Sequence, residues 1–196
     1  VGRSWQYPAV ELATAGLFVA SYVFWPVPVI GYQVVSFCLW LATMVVMMAM
    51  SVYDIRWKEL PDGLNVVLGA IIHVELLLAL LFSGLGLRSF GASLLAGLLC
   101  FSFFWVLFQV SKGNWIGGGD VKLGFALGVI AGDPLQVFLL IFIASLLGTV
   151  ISLPVIVRYG VRKAPQIPFG PYLLGAAVIV HLFGTDLVSW YKGLAG

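Results

Sequence analysis

Long apolar runs alternate with short polar or glycine-rich breaks along the whole chain. Six of these runs have the length of a membrane helix, which needs about 20 residues to cross the hydrocarbon core. They lie at about 8–25, 32–52, 64–82, 90–110, 135–157 and 171–187. A seventh run, 120–131, is too short to span a bilayer at about 1.5 Å per residue unless neighbouring helices shield it. The pattern therefore predicts an all-α, polytopic transmembrane bundle of six to seven helices, one of them short.

The composition agrees with a membrane protein, because 62% of the residues are hydrophobic and only 9% are charged. Soluble domains carry about 25% charged residues. The spans leave little of the 196 residues for a soluble domain, so we expect residues 1–196 to form a single integral membrane domain. Cys38 and Cys100 lie in apolar runs, where a free cysteine is usually a small buried hydrophobe. Their positions disfavour a disulfide, a catalytic thiol and a four-cysteine zinc site.

Lys and Arg residues are distributed unevenly between the two sets of loops. If all seven segments cross the membrane and the N-terminus is cytoplasmic, only Arg88 and Lys192 lie outside. Cytoplasmic loops are enriched in Lys and Arg, so we expect this orientation. It places the polar stretch 54–62 and the glycine-rich stretch 117–120 at one cytoplasmic face. The basic residues on that side are Arg3, Arg56, Lys58, Lys112, Lys122, Arg158, Arg162 and Lys163.

Two acids lie at the edges of apolar segments on this face. Asp54 ends the second segment, and Asp120 opens the short one directly after three glycines. An ionisable group near membrane depth is costly and therefore suggests a functional site. Two carboxylates that share one proton can activate water with the ionised member and donate a proton from the other. Glycine lets another backbone approach closely, so we expect a peptide substrate to contact Gly117, Gly118 and Gly119. We also expect Lys122, two residues after Asp120, to contact the substrate.

Each acid also has a structural interpretation, which the residues taken singly leave open. Asp120 is placed to complement the N-terminus of a helix. Asp54 could pair with Arg56, Lys58 or Lys122. The combination of both acids at one face favours catalysis over these interpretations. For Asp62, which follows Leu60-Pro61, we expect the start of a helix rather than a catalytic role.

Three further polar groups lie inside apolar runs, namely His73, Glu75 and His181. We expect them to bond neighbouring helices, although His73 and Glu75 could also form a proton path or a metal site. The sequence contains no HExxH, Gly-x-Ser-x-Gly or P-loop motif. We expect neither a metal nor another cofactor. A small carrier or channel, and a non-catalytic assembly factor of a pilus or secretion system, remain the alternatives to a protease.

Three stretches, in this order, resemble the type IV prepilin peptidases, a family of diaspartyl membrane proteases. Asp54 with Leu60-Pro61-Asp62 resembles the first family motif, and residues 117–123 resemble its Gly-x-Gly-Asp motif. Residues 167–172 are similar to the Pro-Phe-Gly-Pro segment that opens the last helix. The resemblance implies that Asp54 and Asp120 are the catalytic pair.

The resemblance also implies a substrate and a location. The enzyme would remove the short basic leader of a prepilin or pseudopilin after a Gly, at the cytoplasmic face of the bacterial inner membrane. Its partners would be these substrates and the bilayer, with no nucleic acid.

Residues 5–12 resemble the segment that follows the cytoplasmic zinc domain of bifunctional members, which is linked to N-methylation of the mature pilin. No paired CxxC for such a domain occurs in this sequence. We expect either a peptidase-only member or the C-terminal part of a longer protein, and we do not extend methyltransferase activity to it.

Overall fold

The computed structural model of the chain describes residues 6–160 and 168–195, and their regular structure is helical throughout. Five of the helices in this part of the chain are long and apolar enough to cross a membrane. The prediction of a polytopic helix bundle is therefore confirmed. In chain order the helices are α1 (Gln6–Val23), α2 (Tyr32–Trp57), α3 (Asp62–Phe82), α4 (Leu87–Ser111), α5 (Gly118–Ala131), α6 (Pro134–Tyr159) and α7 (Gly170–Ala195).

The helix bounds differ from the predicted runs mainly at polar ends. α2 continues past its expected end at residue 52 as far as Trp57, so Asp54 lies in the last turns of a helix. The helix ends where Lys58 takes a left-handed φ of 54° and donates its N–H to the carbonyl of Asp54 at 2.8 Å. α7 likewise extends well beyond residue 187. A hydropathy pattern misses such turns because a helix can continue into water with polar residues.

The short helix α5 lies at the centre of the bundle. It packs against α3, α4, α6 and α7, and Leu123 and Leu127 are fully buried. Small residues let α4 and α5 approach closely, as is usual between membrane helices. A Cβ atom on Gly124 would lie 2.8 Å from Phe104, and one on Gly128 would collide with the carbonyl of Ala96. The neighbouring helices thus supply the shielding that a helix of 14 residues requires.

α4 and α5 run antiparallel. Phe108, near the end of α4, lies beside Gly118 at the start of α5. At the other end, the Ser93 hydroxyl of α4 donates to the carbonyl of Gly132, just past α5, at 3.2 Å. The start of α5 also meets the end of α2, the start of α3 and the start of α7. We call this end of the bundle the aspartate end.

The polar groups inside the apolar runs mostly join helices. Glu75 of α3 accepts a hydrogen bond from the Ser36 hydroxyl of α2 at 2.9 Å, which confirms the interhelical bond expected for it. His181 of α7 bonds the backbone of Ile130 in α5, again as expected. His73 departs from the expectation, because its Nδ1 lies 2.7 Å from the carbonyl of Gly69 in its own helix.

Both cysteines are free, and Cys100 is fully buried as expected. The expectation of burial is wrong for Cys38, which lies exposed on the surface of α2. Several residues used in the charge count and the resemblance lie outside the described residues. They are Arg3, Trp5, Arg162, Lys163 and Ile167.

Candidate active site

A cavity of about 450 Å³ opens at the aspartate end of the bundle. It lies between the end of α2, the loop that leads to α3 and the start of α5. Asp54 and Asp120 both line it, so the expectation that the two acids share one face is confirmed. The other charged residues of its lining are Lys58, Glu59 and Asp62. Four carboxyl groups against one ammonium group favour the binding of a cationic segment.

Asp54 is buried near the end of α2, with 6% of its surface exposed. Its Oδ2 accepts a hydrogen bond of 2.9 Å from the backbone N–H of Gly170, the first residue of α7. A Cβ atom at Gly170 would lie 2.5 Å from this oxygen, so only glycine allows the approach. The alternative in which Asp54 pairs with Lys122 is wrong, because the ammonium group of Lys122 bonds Asp62 at 2.7 Å instead. Asp62 is indeed the first residue of α3, as expected.

Asp120 is the third residue of α5, and 9% of its surface is exposed. Its Oδ2 accepts a hydrogen bond of 3.3 Å from the N–H of Gly117, which confirms the helix-capping interpretation for that oxygen. Its Oδ1 is buried and has no hydrogen-bond partner among residues 6–160 and 168–195. The cap therefore occupies one oxygen and leaves the other without a partner in the described part of the chain.

The surroundings of Asp120 favour its protonated form. This residue lies outside the five candidate membrane spans. Burial raises the pKa of Asp120 from 3.8 to about 6, the charge of Asp54 acts in the same direction, and the Gly117 N–H opposes them. Two carboxyl groups that interact in this way titrate as a pair and pass through a state with one shared proton. That state can provide a base and an acid to the same substrate.

The glycines before Asp120 have different surroundings. A Cβ atom on Gly117 or Gly118 would have its nearest neighbour at 3.6 Å or 4.0 Å, so space remains beside both. A Cβ atom on Gly119 would lie 2.8 Å from that of Leu60, so Leu60 fills the space beside it. Lys122 is more than half exposed beside the cavity, in its ion pair with Asp62. Substrate contact by these four residues stays a prediction.

Sequence reasoning missed Gly170 and Leu60 as parts of the site. The sequence pattern marks the motif around Gly170 only as the start of the last helix. The Gly between Phe169 and Pro171 is the one signal of a close contact there, because glycine lets another group approach the backbone closely. Nothing in the sequence shows that this backbone meets Asp54, which is distant along the chain. In the described part of the chain, His, Cys, Asp and Glu residues do not form a group of three or more suited to a metal ion.

Comparisons with known proteins identify the family of this chain. Residues 41–153 match the model of the type IV leader peptidase family, and this range includes both aspartates. The chain is 34% identical over 199 residues to a prepilin leader peptidase/N-methyltransferase of Xanthomonas campestris, covering 97% of the chain and 63% of the relative. Proteins of the same description from Pseudomonas aeruginosa and Bacillus subtilis are 33% and 24% identical, with 97% and 98% of the chain covered.

The chain thus spans 63% of the length of the Xanthomonas and Pseudomonas relatives and 72% of the Bacillus relative. No solved structure matches it. The family match covers more than half of the chain and contains both acids of the cavity. The chain belongs to the type IV leader peptidase family.

Proposed function

We propose that this protein is a membrane aspartic endopeptidase that removes the leader peptide from type IV prepilins or pseudopilins. Asp54 and Asp120 are its catalytic pair. The observation that carries the proposal is the convergence of these two buried carboxyl groups, from α2 and α5, on one open cavity. Membership of the family supports it, because the matched relatives are described as prepilin leader peptidases.

The chemistry follows from a pair that holds one proton. The ionised carboxylate takes a proton from a water molecule, while the protonated carboxyl group donates to the carbonyl oxygen of the scissile peptide bond. The oxygen of the water bonds to the carbonyl carbon and forms a tetrahedral diol. The carbon–nitrogen bond then breaks as the leaving nitrogen takes up a proton from the pair, and a hydroxyl of the diol returns a proton to the pair as the new carboxyl group forms. No nucleophilic side chain of the protein takes part.

The shape and charge of the cavity support the substrate proposed. Its acidic lining attracts a short basic leader. The space beside Gly117 and Gly118 accommodates an extended backbone, and cleavage follows a Gly of the substrate. The hydrophobic segment of the substrate remains in the bilayer beside the enzyme, while Lys122 contributes to binding at the edge of the site.

The cavity faces the cytoplasm in this proposal, and the membrane is the bacterial inner membrane. Basic residues cluster where α2 and α4 end and where α5 begins, namely Arg56, Lys58, Lys112 and Lys122. At the opposite end of the bundle, the basic residues within 6–160 and 168–195 are Arg88 at the start of α4 and Lys192 near the end of α7. Cytoplasmic ends of membrane helices carry the excess of Lys and Arg, which supports this orientation.

The test is processing of a co-expressed prepilin by variants that change one acid at a time. Asp54→Asn and Asp120→Asn keep the shape of each side chain but remove the proton exchange. Each should lower the rate of leader removal at least about a hundredfold, as is typical when general acid–base catalysis is lost. Gel mobility and mass spectrometry of the pilin report the cleavage.

Asp133→Asn is the matched control. Asp133 caps α6 by accepting the N–H of Leu135, which an Asn side chain can also do. This variant should process the prepilin at the rate of the unchanged protein, and EDTA should leave that rate unaltered. Full activity of either dyad variant would refute the proposal, and clear inhibition by EDTA would favour a metal-dependent reaction instead.

A further inference from the structure

The two carboxyl groups of the cavity are held in different ways. Asp54 accepts its hydrogen bond from Gly170 at 2.9 Å, and that bond is buried. Asp120 accepts a longer one of 3.3 Å from Gly117, and its second oxygen has no partner in the described part of the chain. This difference bears on which of the two acids carries the shared proton, a point that the chemistry of a diaspartyl pair leaves open.

The contact with Gly170 stabilises the ionised form of Asp54. A backbone N–H donates, so it favours a carboxylate over a neutral carboxyl group, and bonds to charged groups are stronger than neutral ones. Gly170 is also the first residue of the 26-residue helix α7, whose N-terminus carries partial positive charge. Pro171 has no backbone N–H, so Gly170 rather than Pro171 donates the hydrogen bond from this end of α7 to Asp54.

The oxygen of Asp120 that has no hydrogen-bond partner in the described part of the chain favours the protonated form of that residue. A buried carboxylate oxygen without a hydrogen-bond partner is costly, and the cost is much greater when the group is charged. A proton on Oδ1 removes the charge and makes Asp120, which lines the cavity, a hydrogen-bond donor. Oδ2 keeps its bond to the Gly117 N–H in either state.

We propose that Gly170 is a positioning residue that fixes the roles in the pair: it holds Asp54 as the ionised base, so that Asp120 carries the proton and acts as the acid. This inference rests on the function proposed above. In the first step a proton moves from water to Asp54, the water oxygen bonds to the scissile carbon, and the proton of Asp120 moves to the carbonyl oxygen. In the second step the carbon–nitrogen bond breaks, Asp54 gives its proton to the leaving nitrogen, and a diol hydroxyl returns a proton to Asp120.

An amide-to-ester replacement tests the role of Gly170. Glycolic acid introduced at position 170 of the full chain removes the N–H and adds no Cβ atom beside Asp54. The readout is the pH profile of kcat/KM for a prepilin peptide, with the protein in lipid nanodiscs. Loss of a hydrogen bond to the ionised base should move the acidic limb to higher pH by about one unit and leave the basic limb in place.

The same replacement at Gly175 is the control, because that residue lies further along α7 and away from Asp54, with Leu147 as its nearest neighbour. It should leave both limbs unchanged. An unmoved acidic limb at position 170, a shift of the basic limb instead, or an equal shift from the Gly175 ester would overturn the inference. If any of these results were found while Asp54→Asn and Asp120→Asn were inactive, the role assigned to Gly170 would be wrong and the proposed function would still be supported.

The position of the proton can be measured without activity. In a Glu75→Gln background, which removes the half-buried acid of α3, infrared spectra are recorded just below the apparent pKa of the pair. The carbonyl band of a protonated carboxyl group should disappear in Asp120→Asn and persist in Asp54→Asn. Any other pattern would overturn the assignment of roles, even if the unchanged protein failed to cleave a prepilin and the proposed function were wrong.

Discussion

Asp120 caps a helix and also lines the cavity in which the proposed reaction takes place. One oxygen closes the first turn of α5 through Gly117, and the other stays buried without a partner. The residue is buried, with 9% of its surface exposed, although it lines the cavity. The burial that keeps it there also raises its pKa, so its ionisation state and the stability of the fold depend on each other.

The raised pKa of Asp120 predicts a pH dependence of stability. The folded protein holds the proton up to about pH 6, whereas an exposed Asp loses it near pH 3.8. Asp120 therefore has no effect on stability below pH 3.8, where it is protonated in both the folded and the unfolded state. As the pH rises from 3.8, the free energy of unfolding falls, and the loss is complete once the pH has passed about 6. The destabilisation corresponds to about 3 kcal/mol when complete.

Thermal unfolding in detergent at a series of pH values measures this dependence. Asp120→Asn should flatten the fall in stability between pH 3.8 and about 6. The exposed acid Asp62 is the control, because Asp62→Asn should leave the fall in place. An equally steep fall in Asp120→Asn would show that another group is responsible.

Gly118 and Gly119 are adjacent in sequence but differ in what a methyl group would meet. The nearest atom to a Cβ on Gly118 is 4.0 Å away, whereas a Cβ on Gly119 would lie 2.8 Å from Leu60. We expect Gly119→Ala to displace the loop that carries Leu60 and to reduce leader removal at least tenfold, because misplacement of catalytic groups is costly.

Gly118→Ala adds the same methyl group without a clash, so it should fold normally and retain the thermal stability of the unchanged protein. Its activity reports whether the substrate backbone uses the space beside Gly118. Equal activities and equal unfolding temperatures for the two variants would show that the contact with Leu60 is unimportant.

At the scale of the element, the central helix α5 depends on small residues rather than on length. It is too short and too buried to be stabilised by lipid, so close packing against α4 must hold it. Gly124 and Gly128 allow the approach, and Gly97 of α4 lies against Gly128. The sequence shows these glycines, but it does not show which of them face a partner.

Gly128→Ala should therefore lower the stability of the protein. The added Cβ would collide with the carbonyl oxygen of Ala96, which is backbone and cannot move aside alone. We expect a loss of about 1–3 kcal/mol, typical of overpacking in a tight core. Chemical or thermal unfolding in detergent would measure it.

The control is Gly69→Ala in α3, where a Cβ atom would have no neighbour within 4 Å. This variant should be neutral or more stable by up to about 1 kcal/mol, because Ala favours a helix over Gly. Equal effects of the two variants would contradict the packing proposed for α4 and α5.

At the scale of the whole molecule, the aspartate end gathers one end of α2, α3, α4, α5 and α7 around the cavity. The proposed reaction depends on which side of the membrane this end faces. A single helix provides a matched pair of positions, because Arg88 lies at the start of α4 and Lys112 directly follows its end.

Cysteine labelling tests the orientation. Arg88→Cys and Lys112→Cys are made separately in a background in which Cys38 and Cys100 are replaced. A thiol reagent that cannot cross membranes should label position 88 in intact cells and position 112 only after permeabilisation, because basic ends face the cytoplasm. The reverse pattern would place the cavity outside and contradict the proposed location of cleavage.

The sequence alone predicted the class of the fold, six to seven helices and two candidate catalytic acids. Hydrophobic runs predict membrane helices because lipid imposes a simple rule on composition and length. A charged residue at the edge of such a run stands out against an apolar background, and the combination of Asp54 with Asp120 after three glycines singles out this pair.

The tertiary structure decided the surroundings of those two acids. Only the packing of α7 against α2 brings the N–H of Gly170 to Asp54, and only the loop before α3 places Leu60 against Gly119. These contacts join residues far apart in the chain, and a backbone donor leaves no trace in a residue pattern. Local sequence determines which helices form, whereas the environment of each carboxyl group is a property of the assembled bundle.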